Sequence, residues 1–354
     1  MIGPLPPPVG GQSVLVRSIL DSALSRQYSM QVLNIAHGNM NSATRLLLTL
    51  ANLSKLMRLL QQTPRLQLIH VHSSAGAPLF EKGIFIVAAR LYRRKVLLHI
   101  HGGIFRSQWP RYGAGRRWLT RAILRQCHGL VILSDDWLSF YREELEYEGE
   151  LFSLPNSVNV PERSEKEDDG IVRLLYVGHL KREKGLIDLR DAVRDLPKSS
   201  KSRLEVLLVG EGDTKTNENC IREAFANLAS PRIVFLGPLD GEEKWAAFRQ
   251  ADILILASHS EDFPLSLLEG MGCGLPVVAT RVGAIPSMLS DGVEGRLVDA
   301  HDVSELRKIL IDLLSSKEKR LIMGRAALLK YQSKYSFEKY TERLSDIYTN
   351  LLTA

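Results

Sequence analysis

Cysteine is scarce: Cys127, Cys220 and Cys273 are the three in 354 residues, an odd and widely separated set. Such spacing supplies neither a disulfide frame nor a cysteine metal site, and it points to a reducing compartment, read here as cytoplasmic. Long apolar runs are missing as well, since no stretch approaches the roughly 18 uninterrupted apolar residues that a membrane span needs. The opening residues, Met1 to Gly11, are rich in Pro and Gly instead of basic and then apolar, so no secretory leader is evident. No Gly-x-Gly-x-x-Gly occurs, which disfavours a dehydrogenase. Acid is nearly absent from one region: between Ser22 and Ser134, 16 Lys or Arg face the single acid Glu81, whereas Asp135 to Ala354 carries 29 basic and 38 acidic residues. The net charge of +6 therefore hides two parts of opposite sign that face different partners.

With 45% hydrophobic and 24% charged residues the composition is globular, and the length suits two domains. Short β-branched or Leu-rich runs alternate with helical patterns in both halves, which predicts α/β units with parallel sheets. Strands are expected over 30–35, 66–71, 95–100 and 130–133, and again over 172–177, 204–209, 233–235, 253–256, 277–279 and 296–298. Leu46, Leu50, Leu53, Met57 and Leu60 recur at three-to-four spacing and predict the core face of a helix. A polar, charged stretch over 157–170 containing Pro161 reads as a connection between domains. It separates an N-terminal domain over 1–156 from a C-terminal one over 171–335, with a last helix over 336–354. Only Met1 and Ile2 precede Gly3-Pro4, so either the first strand is rudimentary or the start lies downstream of the real one.

The most informative segment is Glu261-Asp262-Phe263-Pro264-Leu265-Ser266-Leu267-Leu268-Glu269. Pro264 suits the first turn of a helix, Gly274 its stop, and Val277 to Ala279 a buried strand. Glu261 then sits just ahead of a helix start, where the N–H groups of Phe263, Leu265 and Ser266 offer a diphosphate a positive helix end. Glu269 is a carboxylate in an otherwise apolar helix. Ribose hydroxyls would satisfy it there, and a polar helix side carrying one Glu fits the spacing as well. With Gly274-Leu275-Pro276-Val277-Val278-Ala279-Thr280 behind it, the run resembles the E-x7-E signature of the retaining glycosyltransferases of family 4.

That resemblance implies the GT-B fold: two Rossmann-like domains facing across a cleft, with the last helix crossing back to the first domain. It implies transfer from a UDP- or GDP-sugar, with Glu261 contacting the donor sugar and Glu269 the ribose. The segment from Val172 to Gly185 resembles the family's Gly-Arg-Leu...Lys-Gly, where Lys184 matches the Lys that neutralises the leaving diphosphate. His179 stands where Arg is common, and an imidazole lacks the fixed charge and bidentate geometry of a guanidinium. Arg182 is either a substitute for that Arg or an exposed loop residue. Gly10-Gly11, ahead of a helical stretch over 12–26, resembles the Gly-Gly loop that lies against the donor. Gly210 and Gly237 follow strands and would frame the base, and Pro155-Asn156-Ser157-Val158 resembles the loop where the family's domains meet. Asp-x-Asp, the metal anchor of the other major glycosyltransferase fold, does not occur, so no metal or other cofactor is expected. Family members react on one face with the leaving phosphate helping to deprotonate the acceptor, so no protein base is assigned. The acceptor expected is a lipid-linked or other saccharide in cell-surface polysaccharide or glycolipid assembly. The alternatives are an epimerase or phosphorylase of the same fold, or a non-catalytic nucleotide-sugar-binding partner.

Two His-x-His pairs, His70 with His72 and His99 with His101, each share a strand face, and each could in principle hold a metal. No carboxylate or Cys motif completes a set. His101 matches the family's His-Gly at the donor-sugar end, and His99 reads as a core histidine. Arg90, Arg93, Arg94, Lys95 and the run from Arg106 to Arg125, with Trp109, Tyr112 and Trp118, suit an anionic membrane surface. A solvated basic face has the same composition. Nucleic acid would attract these charges too, but no nucleic-acid fold motif accompanies them and none is expected as a partner.

Overall fold

A computed structural model describes residues 1–6, 11–35, 41–102, 104–162 and 168–353, apart from the side chains at 42, 104 and 107. The chain forms two compact units, Met1–Ser157 with Phe337–Ala354, and Val158–Ser336. Residues 163–167 of the expected connection and Gly10 of the Gly-Gly loop lie outside the described residues.

In the first unit β1 (Ile2–Gly3), β2 (Leu33–Asn34), β3 (Leu68–Ser73), β4 (Lys95–Ile100), β5 (Gly129–Ile132) and β6 (Glu150–Ser153) form a parallel sheet in the order β2-β1-β3-β4-β5-β6. The central strands are buried almost throughout, which is why they read as continuous apolar runs. Alternate residues of β4 divide between two cores. Val96, Leu98 and Ile100 meet Leu56 and Leu60 of the Ser42–Gln62 helix and Phe85 of the Ala77–Leu91 helix. Leu97 meets Leu15 and Ile19 of the Gly11–Asp21 helix and Leu344 and Tyr348 of the Phe337–Thr353 helix. The last helix thus belongs to the first unit, where Lys95 Nζ also donates to Leu351 O at 2.6 Å.

Several local expectations change. The stretch over 30–35 pairs only at Leu33–Asn34, and β6 has too short and half-polar a sequence to show a strand period. The helix expected over 12–26 is two helices, Gly11–Asp21 and Ala23–Gln27, divided at Ser22, whose Oγ donates to Ile19 O. Of the five apolar residues assigned to the core on the Ser42–Gln62 helix, Leu60 is buried and Leu53 half-buried, while Leu46 (59% exposed), Leu50 (52%) and Met57 face outward. The helix carries two apolar rows. Thr49, Leu53, Leu56 and Leu60 form the inward one, with Thr49 donating to Glu81 Oε1 at 2.9 Å. The basic aromatic segment also divides. Trp109 and Tyr112 are buried in the core, with Arg116 stacked 3.8 Å over the Tyr112 ring, and only Trp118 (70% exposed) of these three aromatics faces out.

The second unit has β7 (Val172–Val177), β8 (Leu204–Val209), β9 (Arg232–Gly237), β10 (Ile253–Leu256), β11 (Val277–Thr280) and β12 (Gly295–Val298), all parallel, in the order β12-β11-β10-β7-β8-β9. The chain runs outward from β7 to β9, returns to place β10 beside β7, and then runs the other way. The β7/β10 boundary is therefore a topological switch point, the place where an open α/β sheet leaves a crevice at its carboxyl edge.

Candidate active site

The loops after β7 and β10 meet at that switch point. Lys184 ends the short Arg182–Lys184 turn, and its Nζ lies 2.6 Å from Glu261 Oε1, which also accepts Ser258 Oγ at 2.7 Å. Both partners are largely buried, so the ion pair is held close to charges it could share with a ligand. The backbone around Glu261 leaves no slack. Gly185, at φ +67°, backs onto the 257 carbonyl, where an added Cβ would sit 1.7 Å from Ala257 O. Gly283, at φ +56°, does the same against Glu261 O, again at 1.7 Å. His259 N donates to Glu183 O, His259 Nε2 lies 2.8 Å from Asp188 Oδ2, and Ala284 N donates to Asp262 O. The loop from 257 to 262 is thus gripped from the turn after β7 and from the segment after β11.

Pro264 is the cap of the Leu265–Gly272 helix and not part of its first turn: its φ is −69° and its ψ 122°. Cys273 closes the helix, and Gly274 follows in a left-handed conformation at φ +65°. Leu265 and Ser266 open it, at an end where backbone N–H groups have no intrahelical acceptor. Phe263 is buried ahead of it. Glu269 is buried, but it is not without a partner, since Lys244 Nζ of the Gly241–Gln250 helix lies 2.5 Å from its Oε1. Burial alone therefore does not demand a ribose there. Gly178, Gly210 and Gly237 meet at the ends of β7, β8 and β9: Gly178 N donates to Val209 O and Gly210 N to Gly237 O. A Cβ at Gly210 would stand 1.9 Å from Gly178 O.

The remaining expected positions are placed separately. His179 is exposed, and its carbonyl accepts Tyr176 Oη at 2.7 Å. Arg182 is also exposed and turns its guanidinium to Cys220 Sγ at 3.1 Å, away from the Lys184–Glu261 pair. Gly11 opens its helix in the first unit. His101, in the first unit, is buried, and burial together with the nearby Lys82 ammonium lowers its pKa to about 3, so it is a neutral imidazole. Lys82, Lys244 and Ser258 escaped the sequence reading. A lone Lys or Ser carries no pattern, and Lys244 meets Glu269, 25 residues on, only in the fold.

Comparison with known proteins bears on the family and the fold. Residues 160–329 match the family described as Glycosyl transferases group 1, and residues 22–156 match the Glycosyl transferase 4-like domain. A D-inositol 3-phosphate glycosyltransferase of Corynebacterium efficiens is 36% identical over 182 residues, covering 51% of this chain and 43% of that protein. An N-acetyl-alpha-D-glucosaminyl L-malate synthase of Bacillus anthracis is 28% identical over 239 residues, covering 66% and 59%. The chain spans about half the length of the curated relatives it matches. Among solved structures, Anabaena HepE in complex with UDP-glucose has a TM-score of 0.75 at 15% identity, covering 99% of this chain and 98% of that one.

Proposed function

The chain belongs to glycosyltransferase family 4, and on that basis we propose that it moves a sugar, with retention and without a metal in the transfer step, from a UDP- or GDP-sugar to a lipid-linked or other saccharide acceptor. The observation that supports this most directly is the Lys184–Glu261 pair at the β7/β10 switch point, beside the start of the Leu265–Gly272 helix. Lys184 and the N–H groups of that helix start stabilise the charge that develops on the departing diphosphate, and their being fixed beforehand is what makes them effective. With His179 in place of an Arg and Arg182 turned to Cys220, Lys184 is the one side-chain cation assigned to this task. Glu261 orients the donor sugar and Glu269 the ribose, with Lys244 fixing the Glu269 carboxylate. His101 takes the sugar contact that its His-Gly match implies. The complex of HepE with UDP-glucose supports a nucleotide-sugar donor, and the two curated relatives support a transferase. The basic excess of the first unit and its outward Trp118 support an acceptor presented at the cytoplasmic face of an anionic membrane.

Calorimetry with UDP, GDP and ADP on wild type and Glu269→Gln tests the reading. One nucleotide binds the wild type, and the variant loses about 10- to 100-fold, the worth of hydrogen bonds to a charged group. Binding of none of the three, or equal binding by the variant, removes the donor site. Sugar release from the matching nucleotide sugar that proceeds only with an acceptor separates transfer from epimerase, phosphorylase or purely binding roles.

A further inference from the structure

The two His-x-His pairs, separate in the sequence, form one buried cluster in the first unit. β3 and β4 are parallel neighbours with His72 paired to His99, so His70, His72, His99 and His101 line up on the same sheet face. Their rings are within 4.0 to 5.7 Å of one another in neighbouring pairs, centroid to centroid. Three of the ring nitrogens have partners: His70 Nδ1 meets Tyr348 Oη at 2.6 Å, and His72 Nδ1 meets His101 Nε2 at 2.9 Å. Four do not. His70 Nε2, His72 Nε2 and both nitrogens of His99 are buried without a hydrogen-bond partner among the described residues. A buried polar atom left unpaired costs about 1–3 kcal/mol, and four in one cluster call for an occupant.

One nitrogen from each of His70, His72 and His99 lies within 4.8 Å of the others. We propose that these three imidazoles hold a divalent metal of the zinc class, with the fourth position left to a water. With metal–nitrogen bonds of about 2.0–2.1 Å, ligand atoms in a tetrahedral set stand about 3.4 Å apart, so the rings close by at most about 1.4 Å. The His99 ring has no hydrogen bond at either nitrogen to hold its orientation. Burial lowers the pKa of all three well below the usual range, so they are neutral, which is the ligating form. The partners already present have the form of an outer shell: Tyr348 orients His70 and His101 orients His72 through the nitrogen that does not ligate. A metal on His72 Nε2 places that ring's proton on Nδ1, where it donates to His101 Nε2. The site thereby sets the His101 tautomer and ties β3 and β4 to the last helix through Tyr348. This assignment does not depend on the donor-site reading, since the metal takes no part in transfer.

A second cluster, Asp188, His259 and His301, has a metal-like grouping in the other unit but is satisfied internally, with both imidazoles on Asp188 and His301 exposed. It is removed from the test by working in Asp188→Asn/His301→Ala. The untagged full-length variant is stripped with chelator, reloaded with zinc, desalted and analysed for metal by mass spectrometry, and the cobalt form is read by visible absorption. About one metal per chain is expected, with ligand-field bands of a nitrogen site, and Tyr348→Phe weakens binding about 10- to 100-fold. His99→Leu abolishes binding. Should that variant not fold, pulsed electron paramagnetic resonance of the copper-loaded parent counts the imidazole nitrogens instead. Metal content near zero in the folded parent, no imidazole coupling to copper, or undiminished metal in a folded His99→Leu variant overturns the site.

Discussion

Lys82 sits on the Ala77–Leu91 helix with its side chain buried, and burial, aided by Arg45 and opposed by Glu81, lowers its pKa to about 8. A lysine with a depressed folded pKa costs stability wherever it is charged in both states and ceases to cost it once both states are neutral. Stability is therefore reduced below about pH 8 and recovers as pH rises toward the unfolded value near 10.5, by on the order of 3 kcal/mol. Urea unfolding across that range is expected to show the rise in wild type and to lose it in Lys82→Met; an equal rise in both would assign it elsewhere. At this scale the sequence was legible where residues come as a pattern. Glu261, Phe263 to Ser266 and Glu269 stand out as candidates through their spacing along one loop and helix. Lys244 does not, because it acquires meaning only from the carboxylate the fold places beside it, and Ser258, three residues before Glu261, is a single serine with no pattern to mark it.

The loop bearing Glu261 is an element without regular structure, and its shape comes from its neighbours. Gly283→Ala puts a Cβ against Glu261 O in a backbone region that disfavours side chains, so it is expected to lower stability by more than about 1 kcal/mol and to displace Glu261. Gly115→Ala is the control: it lies within the Ala114–Leu124 helix with open space around it, and is expected to add up to about 1 kcal/mol. Thermal melts of the two variants should move in opposite directions, and movement in the same direction would refute the backbone argument. The Ser42–Gln62 helix shows the limit of periodicity at this scale. Its period was read correctly, but with apolar residues in two adjacent rows nothing in the period says which row meets the sheet.

Charge belongs to the whole molecule. Sixteen basic residues against one acid between Ser22 and Ser134, with Trp118 and Leu119 exposed, predict binding to anionic vesicles that fades as salt rises from about 0.01 M to about 1 M and the screening length falls from about 30 to about 3 Å. Trp118→Ser is expected to weaken vesicle sedimentation about tenfold without changing the melting temperature. Equal sedimentation with neutral vesicles, or no effect of the substitution, would return the basic face to simple solvation. Among the described residues no helix is long and apolar enough to cross a membrane. What the sequence determined unaided was the strand-helix alternation of two α/β units and the loop-helix run from Glu261 to Glu269, because period, capping and helix-start chemistry act over a few neighbouring residues. Tertiary structure alone decided which lysine pairs with each glutamate and which row of leucines is core. It also decided that two histidine pairs 29 residues apart become one cluster, because those outcomes depend on which strands lie side by side, and strand order is set by packing of the whole sheet.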